Sequence, residues 1–234
     1  MPPPTGADIA SNLNAVRRRM TAAASRAGRD ASSVTLLAVS KTFDAGVVRL
    51  AAAAGQRHFG ENRVQEGLDK AAALTDLDLE WHLIGHLQSN KARKAAGAFT
   101  WIHSIDSLEL LKKVDDAAAD AGKRPNVLIQ VDLAHETTKF GADEARVTEL
   151  VQAARDARAL ELRGLMIIPP IPDNPEQSRQ WFWQLRDLRD RLVSSGIPAA
   201  AVRDLSMGMS QDFEIAIEEG ATIVRVGTSL FGHR

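Results

Sequence analysis

The chain has 234 residues, 44% hydrophobic and 25% charged, with a formal net charge of -1, no cysteine and no tyrosine. That length builds one large domain or two small ones, and the near-neutral balance gives no support to a nucleic-acid or membrane-surface partner. Lack of cysteine excludes disulfides, thiolate catalysis and cysteine-rich metal sites, and lack of tyrosine removes a common general acid and base.

The opening residues, Met1 to Asp8, lack the basic and apolar regions of a signal peptide, and no later run approaches the roughly 18 apolar residues of a membrane span. A cytoplasmic protein is expected. A first helix covers about residues 8–27, and its Arg17-Arg18-Arg19 run reads as a solvated face. Short branched runs then alternate with Ala-rich stretches. Strands are expected over 34–39, 56–59, 79–84, 100–102, 126–131, 160–166, 203–205 and 222–226, and helices over 45–54, 64–74, 90–96, 108–121, 143–157, 175–195 and 209–219. Asp106-Ser107 and Asn174-Pro175 start helices, Gly122 and Gly196 stop them, and Pro169-Pro170-Ile171-Pro172 stiffens a loop. No linker divides the chain. The alternation predicts an α/β fold, a single (β/α)8 TIM barrel over residues 1–234 with an additional N-terminal helix. An open doubly wound sheet shares that alternation, but no Gly-x-Gly-x-x-Gly follows the first strand.

Leu37, Val39 and Lys41 share one face of the first strand, so in a barrel the Lys41 amine stands at the mouth. A lone lysine past a strand end is more often a surface residue. The functional reading is an imine-forming amine, which must first lose a proton from a reference pKa of about 10.4. Arg225 interrupts an apolar last strand. Its charge calls either for a structural ion pair or for a ring nitrogen inside the mouth. The turns Ser206-Met207-Gly208-Met209-Ser210 and Arg225-Val226-Gly227-Thr228-Ser229 follow the last two strands, where barrels build phosphate sites from backbone N–H groups and hydroxyls. Asp212 is assigned to helix capping. An amine with two phosphate turns suits an aldehyde cofactor bearing a phosphate, and pyridoxal 5'-phosphate (PLP) is the candidate. No metal is expected, because His82 and His86 lie within and beyond a strand and do not share a helical face. No Gly-x-Ser-x-Gly elbow supports a serine hydrolase.

Six segments carry a resemblance: Ala38-Val39-Ser40-Lys41, Phe59-Gly60-Glu61-Asn62-Arg63-Val64-Gln65-Glu66, Trp81-His82-Leu83-Ile84-Gly85-His86-Leu87-Gln88-Ser89-Asn90-Lys91, Gly164-Leu165-Met166, Leu205-Ser206-Met207-Gly208-Met209-Ser210-Gln211-Asp212 and Val224-Arg225-Val226-Gly227-Thr228-Ser229-Leu230-Phe231-Gly232. Spread over nearly the whole chain, they are similar to the pyridoxal phosphate homeostasis proteins (the YggS or PROSC group), whose barrel resembles the N-terminal domain of alanine racemase. The resemblance implies PLP held as an imine on Lys41, Arg225 against the pyridine nitrogen, and the phosphate on Ser206 with Met207 in its turn and on the Gly227-Thr228 backbone. It puts Asn62 and Met166 near the ring and His82 among the residues shaping the mouth. Within Glu136-Thr137-Thr138-Lys139-Phe140-Gly141 only Phe140 departs from the pattern, where a small residue is commoner.

A guanidinium does not readily give the pyridine nitrogen a proton, so Arg225 makes the ring a poorer electron sink. Racemases of this arrangement offset that with two bases; this chain offers Lys41, has no tyrosine, and no second domain is read after His233-Arg234. The expected function is PLP homeostasis, by buffering or delivery, without strong turnover, with transient contact with apo PLP enzymes. The alternatives are a PLP-dependent amino acid racemase and, behind it, a non-pyridoxal barrel enzyme binding a sugar or small phosphate with Lys41 as an electrostatic clamp. With no heptad seam on its helices, a monomer is expected.

Overall fold

The computed structural model describes residues 4–134 and 140–232, so residues 136–139 of the loop motif and the terminal His233 and Arg234 lie outside the described residues. Helix α1 (Gly6–Arg26) is followed by β1 (Thr35–Val39), α2 (Ala45–Ala53), β2 (His58–Glu61), α3 (Val64–Ala73), β3 (Glu80–Leu83), α4 (Ala92–Ala98), β4 (Trp101–Ile105), α5 (Leu108–Asp120) and β5 (Asn126–Asp132). Then come β6 (Ala142–Asp143), α6 (Glu144–Arg155), β7 (Glu161–Ile167), α7 (Arg179–Ser194), β8 (Asp204–Ser206), α8 (Phe213–Glu218), β9 (Ile223–Val226) and α9 (Thr228–Phe231). The strands pair in parallel in the order β4-β3-β2-β1-β9-β8-β7-β5, and β4 pairs with β5 to close the ring. The two-residue β6 is a spur on β5 that the sequence patterns did not reveal. The result is a closed eight-stranded (β/α)8 barrel.

Burial on both faces explains why the strands read as continuous apolar runs. Leu36 and Ala38 of β1 enter the large core between strands and helices. Their neighbours Leu37 and Val39 point into the barrel, where they meet Ile84, Leu128, Met166 and Ile223. The period of two therefore assigns the faces of β1 correctly.

Helix α1 starts with a capping box, Thr5 and Asp8 bonding each other's backbone N–H, and buries Ile9, Leu13, Val16 and Met20 on one stripe. It packs on α2, α8 and α9. Since α9 is a single turn, α1 supplies the cover that a full last helix would give. The arginine run does more than solvate a face. Arg17 donates to the carbonyls of Ala54 and Gly55 at the end of α2, and Arg19 pairs with Glu214 of α8 at 2.7 Å; Arg18 is exposed.

Helix boundaries follow their capping chemistry. Ser107 accepts from Leu110 N at 3.3 Å, Asn174 caps the 3-10 turn Pro175–Ser178 that leads into α7, and Gly122 and Gly196 adopt positive φ of 60° and 102°. The helix expected over 209–219 begins only at Phe213. Asp212 stands at its N-cap position, but its carboxylate reaches back to Met209 N at 2.7 Å and Ser178 Oγ at 2.8 Å and caps no helical N–H, which corrects the capping assignment. Among the described residues no helix is long and apolar enough to cross a membrane.

Candidate functional site

Lys41 follows the carboxyl end of β1, is exposed, and is held through both sequence neighbours. On one side, Ser40 is fully buried; its Oγ donates to Glu61 Oε1 at 2.7 Å and its carbonyl accepts from Lys70 Nζ at 2.8 Å. On the other, the N–H of Thr42, a residue at φ 67°, donates to Glu66. Lys70 joins the two halves, meeting Glu61 at 2.7 Å and Glu66 at 2.8 Å. Burial pushes the Glu61 carboxyl up, and the bonds from Lys70 and Ser40 oppose that push. In sequence only the i,i+4 spacing of Glu66 and Lys70 hints at this network, which fixes the turn carrying Lys41.

Arg225 projects from β9 into the barrel with only 4% of its surface exposed. Its Nη1 donates to Ser206 Oγ and its Nη2 to the Ile167 carbonyl, both at 2.8 Å. Burial lowers its pKa to about 10, against the opposing charge of Asp212, so it remains a cation at neutral pH. Among the described residues its hydrogen bonds go to neutral oxygens, not to the carboxylate that a structural ion pair would require.

The two glycine-containing turns after β8 and β9 meet at one place. Gly227 N and Ser229 N donate to Ser210 Oγ at 3.2 and 3.4 Å. A Cβ on Gly227 would sit 3.2 Å from the Val39 carbonyl, so this turn lies hard against the strand end that leads to Lys41. Gly208, at φ 87°, carries the first turn past Ala216 where a Cβ would come within 2.4 Å. Within that turn Ser206 is buried inside the barrel, bonded to Arg225 and to His103 Nδ1 at 3.0 Å. The hydroxyl standing at the backbone N–H pair is that of Ser210, a residue the sequence reading left unassigned. Met207 lies in the core between strands and helices, so it reaches the site only through its backbone.

Met166 is fully buried in the inner cluster and Asn62 is exposed on the loop after β2. Gly85 lets the loop after β3 close on Asn62, whose carbonyl would be 2.2 Å from a Cβ there. His86 lies 3.6 Å from Asp106, whose carboxyl burial raises, and stacks on Phe140 with centroids 3.5 Å apart. The residue that departs from the loop pattern thus covers a mouth histidine. His82 does not stand at the mouth as expected: it is buried within β3, with its ring nitrogens 3.2 Å from His58 Nδ1 and 3.0 Å from His103 Nε2. Burial holds His82 well below its usual range and takes His103 to about 3, so both are neutral at pH 7.

Residues 11–234 match the family described as alanine racemase, N-terminal domain. The pyridoxal phosphate homeostasis protein of Aquifex aeolicus is 45% identical to this chain over 222 residues, 95% of this chain and 96% of that protein. PipY of Synechococcus elongatus, in a structure with PLP bound, shares 43% identity and a TM-score of 0.84, covering 96% of this chain and 100% of PipY. Alanine racemase of Clostridium difficile, at 17% identity and a TM-score of 0.73, shares the fold over 97% of this chain and 57% of its own.

Proposed function

The chain belongs to the pyridoxal phosphate homeostasis protein family, and from that membership we propose that it binds PLP on Lys41 at the barrel mouth and buffers or delivers it without strong amino acid turnover. The observation that carries this reading is the charged, buried Arg225, whose hydrogen-bond partners among the described residues are neutral, on the strand that leads directly to the Gly227 turn. The donor set fits the cofactor. Gly227 and Ser229 offer backbone N–H groups with the Ser210 hydroxyl between them, which suits a phosphate. Arg225 supplies N–H donors for an unprotonated ring nitrogen.

When bound, PLP supplies an electrophilic aldehyde for the Lys41 amine. The Glu61 and Lys70 network orients the turn bearing that amine, and Arg225 holds no proton it can readily give to the ring. The reading takes residues 1–234 as one cytoplasmic PLP-binding domain, a monomer that touches apo PLP enzymes transiently.

Titration of the apo-protein with PLP should develop a visible band near violet, and borohydride should fix the cofactor to the Lys41 peptide. Lys41→Ala should lose both. An unchanged band would move the cofactor to another lysine. Turnover of D- or L-amino acids at about 1 per second or faster would reject the carrier reading, and failure to activate an apo PLP enzyme would reject delivery.

A further inference from the structure

At the opposite end of the barrel from Lys41, His58 and Glu80 open β2 and β3 in register with each other, and His82 follows on β3. One ligand atom from each of the three lies within 4.8 Å of the others. His58 Nδ1 is 3.2 Å from His82 Nε2 and 3.6 Å from Glu80 Oε2. Donors on a tetrahedral ion with bonds of about 2.0–2.1 Å stand roughly 3.4 Å apart, so both separations are close to ligand edges. Glu80, with 48% of its side chain exposed, can close the third by rotation. A proton on His58 Nδ1 satisfies only one of its two facing acceptors at a time; a divalent ion takes a lone pair from all three.

The surroundings are those of a metal site. Trp101 Nε1 donates to Glu80 Oε2 at 3.2 Å, and His82 Nδ1 meets His103 Nε2 at 3.0 Å, so a carboxylate and an imidazole each have an outer partner. The Trp101 ring stacks on His82 at 7°. Arg163, the cation beyond Trp101, is engaged by Asp204 at 3.3 Å. His58 is also half-exposed at the edge of an open cleft of about 470 Å³ that it lines with Thr35, Gln56 and Arg57.

We propose that His58, Glu80 and His82 form a site for a zinc-class divalent cation at the amino-terminal end of the barrel. Two imidazoles, one carboxylate and an open position suit Zn²⁺ and its spectroscopic substitute Co²⁺ rather than Mg²⁺ or Ca²⁺. An ion on His82 Nε2 fixes the proton on Nδ1, which then donates to His103 Nε2. His103 in turn donates from Nδ1 to Ser206 Oγ, the atom that also accepts from Arg225. The cation therefore sets the polarity of the hydrogen-bonded column that ends beneath the mouth.

The test is calorimetric titration of tag-free, chelator-stripped protein with Zn²⁺, and absorption titration with Co²⁺. The expected result is one ion per chain with Co²⁺ bands of a four- or five-coordinate site. Losing a ligand in His58→Ala or Glu80→Ala should weaken binding by more than the roughly 10–100-fold typical of outer-shell changes, and Trp101→Phe by about that outer-shell factor. Both ligands are solvent-facing, and circular dichroism confirms that the variants fold. In the zinc-loaded protein, long-range ¹H–¹⁵N spectra should place the proton of His82 on Nδ1. No binding at millimolar ion, affinity unchanged in both ligand variants, or a proton on His82 Nε2 would each overturn the assignment.

Discussion

Replacing Lys70 by methionine keeps the aliphatic stem and removes the only cation bonded to Glu61 among the described residues. Glu66, 22% exposed, can turn to water, but Glu61 is fully buried, keeps only the Ser40 hydroxyl, and its Oε2 has no hydrogen-bond partner even in the native chain. The carboxyl then folds protonated, as buried glutamates with pKa values of about 8–9 do. Against an ordinary value of 4.5, holding that proton at pH 7 costs about 3.4 kcal/mol, and at pH 5.5 about 1.4 kcal/mol. The sign is that of a raised folded-state pKa: between pH 4.5 and the new value the folded state binds the extra proton, so the variant regains stability as pH falls. Urea unfolding followed by tryptophan fluorescence at pH 7 and pH 5.5 should show the deficit relative to native protein shrinking toward the lower pH. Adding Glu61→Gln should restore most of it at pH 7, because the amide carries no charge to strand. A loss below about 1 kcal/mol at pH 7, or a deficit that does not narrow on acidification, would refute the view that Lys70 compensates Glu61. PLP uptake provides the functional readout, since the same bonds fix the residues on either side of Lys41.

Ser210→Ala removes the hydroxyl between the Gly227 and Ser229 N–H groups; PLP affinity should fall by roughly 10–150-fold, the worth of one hydrogen bond to an anion, with the urea midpoint nearly unchanged. Ser206→Ala is expected to do the reverse, costing about 1–3 kcal/mol of stability by leaving Arg225 and His103 each short of a buried partner, read by the same unfolding assay. Arg225→Glu should shift the visible band of the bound cofactor to longer wavelength, because a carboxylate favours a protonated ring nitrogen; a spectrum identical to that of the native protein would place Arg225 away from the ring.

Much of the barrel could be read from the chain because strands buried on both faces are apolar runs and the helices between them have capped ends. Several misreadings fall where the interior is polar. Strand β4 continues through His103 and Ser104 to Ile105, yet a histidine and a serine look like the end of a strand when their partners are elsewhere in the sequence. His103 finds Ser206 at a separation of 103 residues, and Lys70 finds Glu61 only because α3 folds back over β2. A period of two tells which residues point inward but not which of them face each other across a closed ring. The same limit governs the two serines of one turn: Ser206, within β8, points into the barrel, whereas Ser210, past the positive-φ Gly208, arrives at Gly227.

Arg225 shows how much such pairings decide. An arginine in an apolar strand is equally consistent with an ion pair and with a ligand contact until its partners are known. Asp212, the acid whose charge it feels, is committed to Met209 and Ser178, and the guanidinium bonds instead to a hydroxyl and a carbonyl. Of the five N–H donors of an arginine, those two bonds take two. A buried cation whose acceptors among the described residues are neutral is expensive as a purely structural device, and the proposed contact with an unprotonated ring nitrogen would give it a use.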